Sequence, residues 1–154
     1  MTNNSFLILE DFLLEAEKKY FLSLINAGGY QTHYNTTDNT PSLLMFKPIN
    51  FRNIENVKLM KMLPNAKEEM HTDEVKNNKR KTILIHPLTN NYSPCITKNG
   101  LVSQTALVNT QSEHAVYNNN NTRLNLQIAF DIDFKHFLDK THSIWKFINS
   151  LYLK

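Results

Sequence analysis

The sequence is poor in glycine and cysteine and contains no long apolar run. Its 154 residues include only 3 glycines and 1 cysteine. A single cysteine excludes an intramolecular disulfide and a zinc site built from several cysteines. No apolar segment approaches the roughly 20 residues of a membrane-spanning helix. These absences exclude a disulfide-stabilised domain and an integral membrane protein with helical spans, so no membrane partner is expected.

The excess of positive over negative charge is also small, since the formal net charge at pH 7 is only +3. This excess is too mild to indicate nucleic-acid binding by itself. A chain of this length forms about one domain, and we expect a single domain over residues 1–154. Glu10, Asp11 and Glu15 interrupt the apolar N-terminal stretch, which argues against a secretion signal. The sequence therefore predicts a cytoplasmic protein.

Asparagine, by contrast, is abundant, with 21 residues. It is second only to glycine in tolerating the positive φ angles that tight turns require. We therefore expect asparagine to form turns that other chains form with glycine, although an AT-rich genome would produce the same abundance.

The order of secondary-structure signals predicts an α+β, mainly β fold. Apolar residues recur at helical spacing over Asp11–Asn26, and Gly28-Gly29 follows as a stop signal. The polar stretch Tyr30–Pro41 is expected to be a loop. Seven segments have the composition of strands: Leu43–Phe46, Val57–Leu63, Thr82–Leu88, Cys95–Thr97, Leu101–Val108, His114–Tyr117 and Arg123–Phe130. Their close spacing favours an antiparallel sandwich or barrel.

Two local patterns refine this prediction. The pair Asn99-Gly100 predicts a type I′ turn that joins its flanking strands in a hairpin. An apolar stripe with helical spacing follows Asp133, the predicted N-cap, and indicates a C-terminal helix.

The segment Arg123–Phe130 alternates polar and apolar side chains. Its apolar face is a natural surface for the two predicted helices. Arg123, Asn125 and Gln127 would then point between the strands, although a solvent-exposed strand charge is the alternative for Arg123. Polar groups inside a small barrel are costly unless the interior is a wet, functional pocket. The pattern therefore indicates an interior that binds a ligand.

One histidine and carboxylate pattern lies within this β region. His71 and Asp73 are two residues apart, so their side chains can face the same way in an extended segment. A third group, His114, can join them from another strand. Two imidazoles and one carboxylate form the facial triad of non-haem Fe(II) sites, which leaves three positions open. The alternative is that His71 and Asp73 are a loop pair with local hydrogen bonds only.

Arg123 follows His114 by nine residues, across the turn-forming run Asn118–Asn121. If that run reverses the chain, the two residues lie on adjacent antiparallel strands, with Arg123 roughly opposite Val116. A buried guanidinium needs a carboxylate partner, and a bidentate pair of this kind is what a dicarboxylic ligand supplies.

These residues resemble a known family. The segments that carry the resemblance are KLMKMLPNAKEEMHTDEV, TILIHPLT and ALVNTQSEHAVYNNNNTRLNLQIAFD. They are similar to the double-stranded β-helix (jelly-roll, cupin-like) of the Fe(II)- and 2-oxoglutarate-dependent oxygenases. The nearest members are small aspartyl/asparaginyl or prolyl hydroxylase-like proteins of bacteria and phages. The resemblance implies a β-helix core at about residues 43–131, with the N- and C-terminal helices packed on one sheet.

The resemblance also implies cofactors and an activity. His71, Asp73 and His114 would bind Fe(II), and Arg123 would bind the far carboxylate of the co-substrate 2-oxoglutarate. With O₂, such an enzyme hydroxylates a C–H bond of its substrate and releases succinate and CO₂. The substrate, a small molecule or a peptidyl group, is not predicted.

Three further residues are weaker candidates for 2-oxoglutarate contacts. Arg80 lies nine residues after His71, where some aspartyl hydroxylase relatives have an arginine. The histidine expected two residues later is replaced by Thr82, and His86 could take its role only after an insertion. The alternative for His86 is an ordinary core histidine. Asn125 shares the predicted inward face with Arg123 and could support it by hydrogen bonding.

Other functions remain open on the sequence alone. A cupin-like protein could bind a metal or a small acid in the same barrel without turnover. The basic run Lys76–Lys81 could contact nucleic acid, although such a run is more often a solvated loop. The apolar C-terminal helix could also form a homodimer surface.

Overall fold

The computed structural model describes residues 3–34, 41–73 and 79–152 of the chain. Its regular elements are mainly short strands, as the sequence predicts. The strands are β1 (Phe6–Ile8), β2 (Gln31–Tyr34), β3 (Pro41–Pro48), β4 (Val57–Met62), β5 (Lys67–His71), β6 (Thr82–Pro87), β7 (Cys95–Thr97), β8 (Gly100–Val102), β9 (Ala106–Asn109), β10 (His114–Tyr117) and β11 (Arg123–Phe130). The helices are α1 (Glu15–Ser23), a 3₁₀ helix (Phe134–Leu138) and α2 (Ile144–Ser150).

The strands form two antiparallel sheets. The large sheet has seven strands in the order β1-β9-β6-β11-β4-β3-β2, and the small sheet has four in the order β5-β10-β7-β8. Chain neighbours such as β10 and β11 lie in different sheets, as the crossing connections of a jelly-roll require. The predicted mainly β architecture is confirmed. The large sheet also includes β1 and β2, which extend it beyond the predicted core at residues 43–131.

The helices pack on one face of the large sheet, as predicted. Leu124, Leu126 and Ile128 of β11 point to this face and belong to a cluster that includes Phe12 and Phe137. These five side chains are at most 1% exposed. The apolar half of the β11 alternation therefore forms the main core, which we call the helix-side core. No helix in the described part of the chain is long and apolar enough to cross a bilayer.

The other face of β11 points between the two sheets. Arg123, Asn125 and Gln127 are 2%, 0% and 4% exposed there. Around them lies a second apolar cluster, which we call the inter-sheet core: Leu44, Met60, Met62, Ala66, Cys95, Val102, Ala106, Val108 and Val116. The predicted inward position of the three polar residues is confirmed.

The predicted adjacency of His114 and Arg123 is wrong. Strand β10 pairs with β5 and β7, whereas β11 pairs with β4 and β6. Arg123 lies opposite Met62 rather than Val116. The run Asn118–Asn121 carries the chain from the small sheet to the large one. A turn signal predicts that the chain changes direction, but it does not determine which strand the next segment pairs with.

The predicted hairpin between β7 and β8 is present, but its turn is shifted by one residue. Thr97 pairs with Gly100, so Lys98 and Asn99 form the two-residue connection. Only Gly100 has positive φ there, at 137°. The predicted strand Leu101–Val108 is also divided, because β8 belongs to the small sheet and β9 to the large one.

Both predicted helices are shorter than their apolar patterns. Helix α1 covers only Glu15–Ser23 of the predicted Asp11–Asn26. The C-terminal stripe is divided between the 3₁₀ helix and α2. Between these two, Oδ1 of Asp139 accepts hydrogen bonds from the backbone nitrogen and the hydroxyl of Thr141. Such local bonds compete with helix continuation.

Asparagine takes the predicted role in turns. In the described part of the chain five non-glycine residues have positive φ, and four of them are asparagines: Asn53, Asn56, Asn65 and Asn91. Asn118 acts differently, because its side-chain amide donates to the carbonyls of Leu63 and Asn121 at 2.9 and 2.8 Å. It thereby ties the crossover between the sheets to the end of β4. The predicted loop Tyr30–Pro41 contains β2, and its residues 35–40 lie outside the described part.

Candidate active site

Two histidines face each other across the β5–β10 pair. His71 and His114 are paired in register, and their ring centroids are 4.4 Å apart. In each ring Nδ1 lies near the carbonyl two residues earlier, at 2.6 Å from Glu69 O and 2.8 Å from Ser112 O. A carbonyl requires a donor, so Nδ1 carries a proton in both rings. The two Nε2 atoms are left as the nitrogens that can bind a metal.

Asp73 completes this cluster. Its Oδ1 is 3.3 Å from Nε2 of both His71 and His114. Its backbone nitrogen donates to Thr110 O at 2.9 Å, which fixes the segment after β5. Neighbouring ligands of a metal with bonds of about 2.1 Å lie about 3 Å apart at right angles. The carboxylate oxygen of Asp73 therefore lies from each imidazole at a distance that two neighbouring ligands of one metal ion can have.

The charges of this cluster are strongly coupled. A hydrogen bond with Asp73 is the main cause that raises the pKa of His71 to about 9. Burial acts to raise the pKa of Asp73, but hydrogen bonds from His114 and His71 outweigh it and hold that pKa well below its usual range. Without a cation, the carboxylate thus keeps a proton on His71. A bound metal would replace that proton.

Glu68 is a fourth candidate ligand, which the sequence analysis missed. Strand β10 places Val116 opposite Glu68 and His114 opposite His71, so Ala115 faces two residues of β5. This bulge adds one residue to β5. Strict alternation would put Glu68 and His71 on opposite faces, but the bulge puts both on one face. Donor atoms of Glu68, His71 and His114 all lie within 4.8 Å of one another.

Arg123 lies deeper between the sheets. Its Nε donates to Ser93 O at 2.9 Å, its Nη1 lies 3.7 Å from the sulfur of Met62, and the guanidinium stacks 4.0 Å from the ring centroid of Tyr92. Among the described residues, no carboxylate lies within ion-pair distance of Arg123. A guanidinium that is 2% exposed and lacks an anionic partner is costly. This site therefore favours an anionic ligand.

Tyr92 and Asn125 support the guanidinium. The amide of Asn125 donates to Oη of Tyr92 at 2.7 Å, and burial raises the pKa of this phenol. Oδ1 of Asn125 is buried and has no hydrogen-bond partner among the described residues. The sequence pointed to Asn125 but not to Tyr92, which belongs to none of the predicted strands. The pair can hold Arg123 and still offer one acceptor to a ligand.

The buried thiol of Cys95 is affected by the charges of both Arg123 and the carboxylates. Burial raises the pKa of the Cys95 thiol to about 11, and the charges of Arg123, Glu68 and Asp73 all act on this thiol. Cys95 itself belongs to the inter-sheet core. The cationic Arg123 and the anionic Glu68 and Asp73 thus all lie near enough to Cys95 for their charges to affect its pKa.

Arg80 lies near the candidate metal ligands Asp73 and Glu68. Its Nη2 donates to Oε1 of Gln127 at 2.7 Å, and the guanidinium is 5.6 Å from the ring centroid of Phe46. Burial lowers the pKa of Arg80, while the charges of Asp73 and Glu68 act in the opposite direction. Arg80 is thus near the candidate ligands. Half of the basic run Lys76–Lys81 lies outside the described residues, which resume at 79.

His86 is not brought to this site. It pairs with Leu126 on β11, so its ring points to the helix-side core. There Nε2 is 2.6 Å from Oδ1 of Asp11 and the ring packs edge-on against Phe12. This position rules out a contact with a ligand between the sheets. The register explains the outcome, because His86 has the same parity as Leu84, which belongs to the helix-side core.

Comparisons with known proteins give a structural likeness only. No protein-family model and no curated protein sequence matches this chain. Among solved structures, a Pseudomonas putida prolyl-4-hydroxylase is similar with a TM-score of 0.55 and 11% identity, covering 80% of this chain and 90% of that one. A cupin domain from Bordetella pertussis has a TM-score of 0.36 and 15% identity, covering 57% and 91%. The predicted jelly-roll, cupin-like fold is confirmed.

Proposed function

We propose that the protein is an Fe(II)- and 2-oxoglutarate-dependent dioxygenase that hydroxylates a C–H bond and releases succinate and CO₂. The observation that carries this proposal is Arg123, a buried guanidinium with no carboxylate within ion-pair distance among the described residues, whose charge acts on the same buried thiol, Cys95, as the charges of Asp73 and Glu68. A ligand with a carboxylate at one end and a metal-chelating group at the other satisfies both sites. 2-Oxoglutarate has this constitution.

The donor set fits the proposed iron. Two imidazole nitrogens and one carboxylate oxygen are the donor types of the facial non-haem Fe(II) site, and here the carboxylate oxygen lies 3.3 Å from each imidazole nitrogen. His71, Asp73 and His114 would hold the ion. Bound Fe(II) would supply the O₂ chemistry that couples decarboxylation of 2-oxoglutarate to hydroxylation.

The protein's own groups would orient the co-substrate. Arg123 would bind its far carboxylate, and the stacked ring of Tyr92 keeps the guanidinium plane in place. Because the inter-sheet core excludes water, this ion pair would be stronger than at the surface. Arg80, near Asp73 and bonded to Gln127, would line the approach to the metal.

The test is the conversion of 2-oxoglutarate to succinate by purified protein with Fe(II) and ascorbate, followed by chromatography of the acids. We expect Fe(II)-dependent succinate formation that His71→Ala abolishes. Binding is measured separately by calorimetry in the presence of Mn²⁺. We expect Arg123→Gln to weaken 2-oxoglutarate binding by at least about 100-fold, since a buried charge pair is lost.

A matched ligand serves as the control. 2-Oxopentanoate has the same chain length and chelating group but lacks the far carboxylate. Its affinity should be low for the natural protein and should not fall further in Arg123→Gln. Unchanged 2-oxoglutarate binding in Arg123→Gln would contradict the assignment of this residue.

A second candidate is a cupin-like protein that binds a metal and a small acid without turnover. Glu68 favours it, because its carboxylate lies near both histidines and, as an additional ligand, would take a position that O₂ chemistry needs. The two functions differ in one measurement. Metal and 2-oxoglutarate binding without succinate formation, across peptides, free amino acids and nucleic acid as trial substrates, would support the binding protein.

A further inference from the structure

Three neighbouring strands present side chains to one part of the inter-sheet face. Lys58 of β4 lies directly opposite Gln127 of β11, and Lys58 has the same parity as Met60, which belongs to the inter-sheet core. Phe46 of β3 lies opposite Met60, so it is a diagonal neighbour of Lys58 on the same face. The sheet thus brings a cation, an aromatic ring and an amide together.

Arg80 joins this group from the segment before β6. Its Nη2 donates to Oε1 of Gln127 at 2.7 Å, and its guanidinium is 5.6 Å from the ring centroid of Phe46. Nζ of Lys58 is 5.9 Å from the same centroid. Because an aromatic ring attracts cations at such distances, Phe46 holds both cations near one place. We call Lys58, Phe46 and Arg80 the basic cluster.

Backbone contacts connect the basic cluster to the candidate metal centre. The hydroxyl of Thr110 donates to the carbonyl of Arg80, and the backbone nitrogen of Asp73 donates to the carbonyl of Thr110 at 2.9 Å. The charges of Asp73 and Glu68 also act on Arg80. The basic cluster therefore lies beside the residues that would hold the metal.

We propose that the basic cluster binds a carboxylate of the substrate, so that the protein acts on an acidic molecule. This inference rests on the proposed function, because it treats the bound anion as part of the molecule that is hydroxylated. It adds a substrate class, which neither the metal ligands nor Arg123 specifies.

The charges around the cluster leave one positive charge to be balanced. Among the described residues, no carboxylate lies within ion-pair distance of Lys58. The acidic residues whose charges act on Arg80 are Asp73 and Glu68. A divalent ion would balance these two carboxylates, and the near carboxylate of 2-oxoglutarate would balance one cation of the cluster. In the metal-free protein one positive charge also remains, because His71 carries a proton that balances one of the two carboxylates.

The cluster is open to solvent but partly desolvated. Lys58, Phe46 and Arg80 are each partly exposed, whereas Gln127 beside them is only 4% exposed. A charge pair in such surroundings is stronger than at a fully hydrated surface. Two partly buried cations are too few for the extended phosphate contacts of a nucleic acid, so a carboxylate is the favoured anion.

The test uses the metal-free whole protein, labelled with ¹⁵N, and sodium acetate as the probe. Amide spectra recorded during the titration show where the anion binds, so binding at Arg123 is distinguished from binding at the basic cluster. We expect acetate to shift the amide signals of Phe46, Lys58 and Gln127. Lys58→Gln should weaken this binding at least about 5-fold. Acetamide, which has the same shape without the charge, should cause no shift.

Two variants control for the change in net charge. Lys58→Arg keeps the charge and should keep the acetate affinity within about twofold. Lys47→Gln removes the same charge from β3, where Lys47 lies over the ring of Tyr30. As the chain neighbour of Phe46, Lys47 points to the opposite face of the sheet, so its substitution should leave the acetate affinity unchanged.

Two further probes define the anion. A tripeptide with blocked ends and an internal aspartate separates the two sources of a carboxylate, because it binds more tightly than acetate if the substrate is peptidyl and less tightly if the substrate is a free acid. Dimethyl phosphate, a singly charged phosphodiester, should bind more weakly than acetate.

Three results would overturn this inference: no acetate-induced shift at the basic cluster, equal weakening by Lys47→Gln and Lys58→Gln, or tighter binding of dimethyl phosphate than of acetate at this place. None of these measurements needs Fe(II) or 2-oxoglutarate, so the proposed function would stand. Conversely, absence of succinate formation with intact acetate binding would contradict the proposed function and leave the anion site in place.

Discussion

The two faces of strand β11 differ in what they bury. Leu124, Leu126 and Ile128 pack against the helices and are at most 1% exposed. On the other face Asn125 is as deeply buried, and its Oδ1 has no hydrogen-bond partner among the described residues, while Arg123 has no carboxylate of the described residues within ion-pair distance. Apolar contacts surround both faces, but the side chains that β11 itself contributes are apolar only on the helix side, so only there does burial of β11 side chains stabilise the fold through the hydrophobic effect.

This difference indicates that one face of β11 stabilises the fold and the other is suited to ligand binding. The helix-side core holds the large sheet in shape. The inter-sheet core accepts unfavourable polar burial that a bound ligand and metal would relieve. Substitutions on adjacent residues of β11 can therefore separate stability from ligand binding.

The largest expected effect is that of Leu126→Ala. Leu126 is 0% exposed in the helix-side core, and truncation of a buried leucine leaves a cavity. We expect the free energy of unfolding, measured by urea denaturation, to fall by about 3 kcal/mol. At low temperature, 2-oxoglutarate affinity should change less than twofold. A loss of ligand binding without a loss of stability would contradict the division between the faces.

Asn125→Ala is the matched change on the other face. Asn125 is also 0% exposed, but one of its two polar atoms has no partner, so the variant removes an unfavourable group together with one hydrogen bond. We expect a stability loss of at most about 1 kcal/mol. The affinity for 2-oxoglutarate should fall several-fold, because Tyr92 loses its partner. A stability loss as large as that of Leu126→Ala would contradict the proposed difference between the two faces of β11.

The smallest expected effect is a pH dependence of protein stability that arises from His71. The pKa of His71 is raised from 6.5 to about 9. Its proton stabilises the metal-free protein fully below pH 6.5, and this contribution is lost as the pH rises through about 9. We expect the melting temperature of the metal-free protein to fall modestly over this range.

The same measurement with Mn²⁺ provides the control. A metal competes with the proton on His71, so the stabilisation by Mn²⁺ should grow as the pH rises. His71→Gln should remove both trends. If the metal-free melting temperature is flat between pH 6.5 and 9, the coupling between His71 and Asp73 is weaker than their distance implies.

The sequence predicted the parts of the fold that depend on local periodicity. The period of two in β11 correctly assigned its polar side chains inward and its apolar side chains to the helices. His71 and Asp73 come close to each other because they are neighbours in the chain. The assignment of Fe(II) and 2-oxoglutarate to these residues stays a prediction until binding is measured.

The features that the sequence analysis missed depend on contacts between distant segments. The turn run Asn118–Asn121 indicated a reversal, but the partner of β11 is chosen by the packing of the whole sheet. Tyr92 lies outside the predicted strands, yet the fold stacks it on Arg123. Strict alternation along β5 would turn Glu68 to the face opposite His71. The bulge opposite Ala115 places both side chains on the same face.

The sequence by itself thus determined the candidate metal ligands His71, Asp73 and His114 and which face of β11 is polar, because side-chain direction alternates along a strand regardless of its partners. Tertiary structure alone decided that His114 and Arg123 belong to different sheets, that His86 faces the helices, and that Glu68 joins the cluster. Strand pairing and bulges are set by hydrogen bonds between segments far apart in the chain, and no local pattern encodes them.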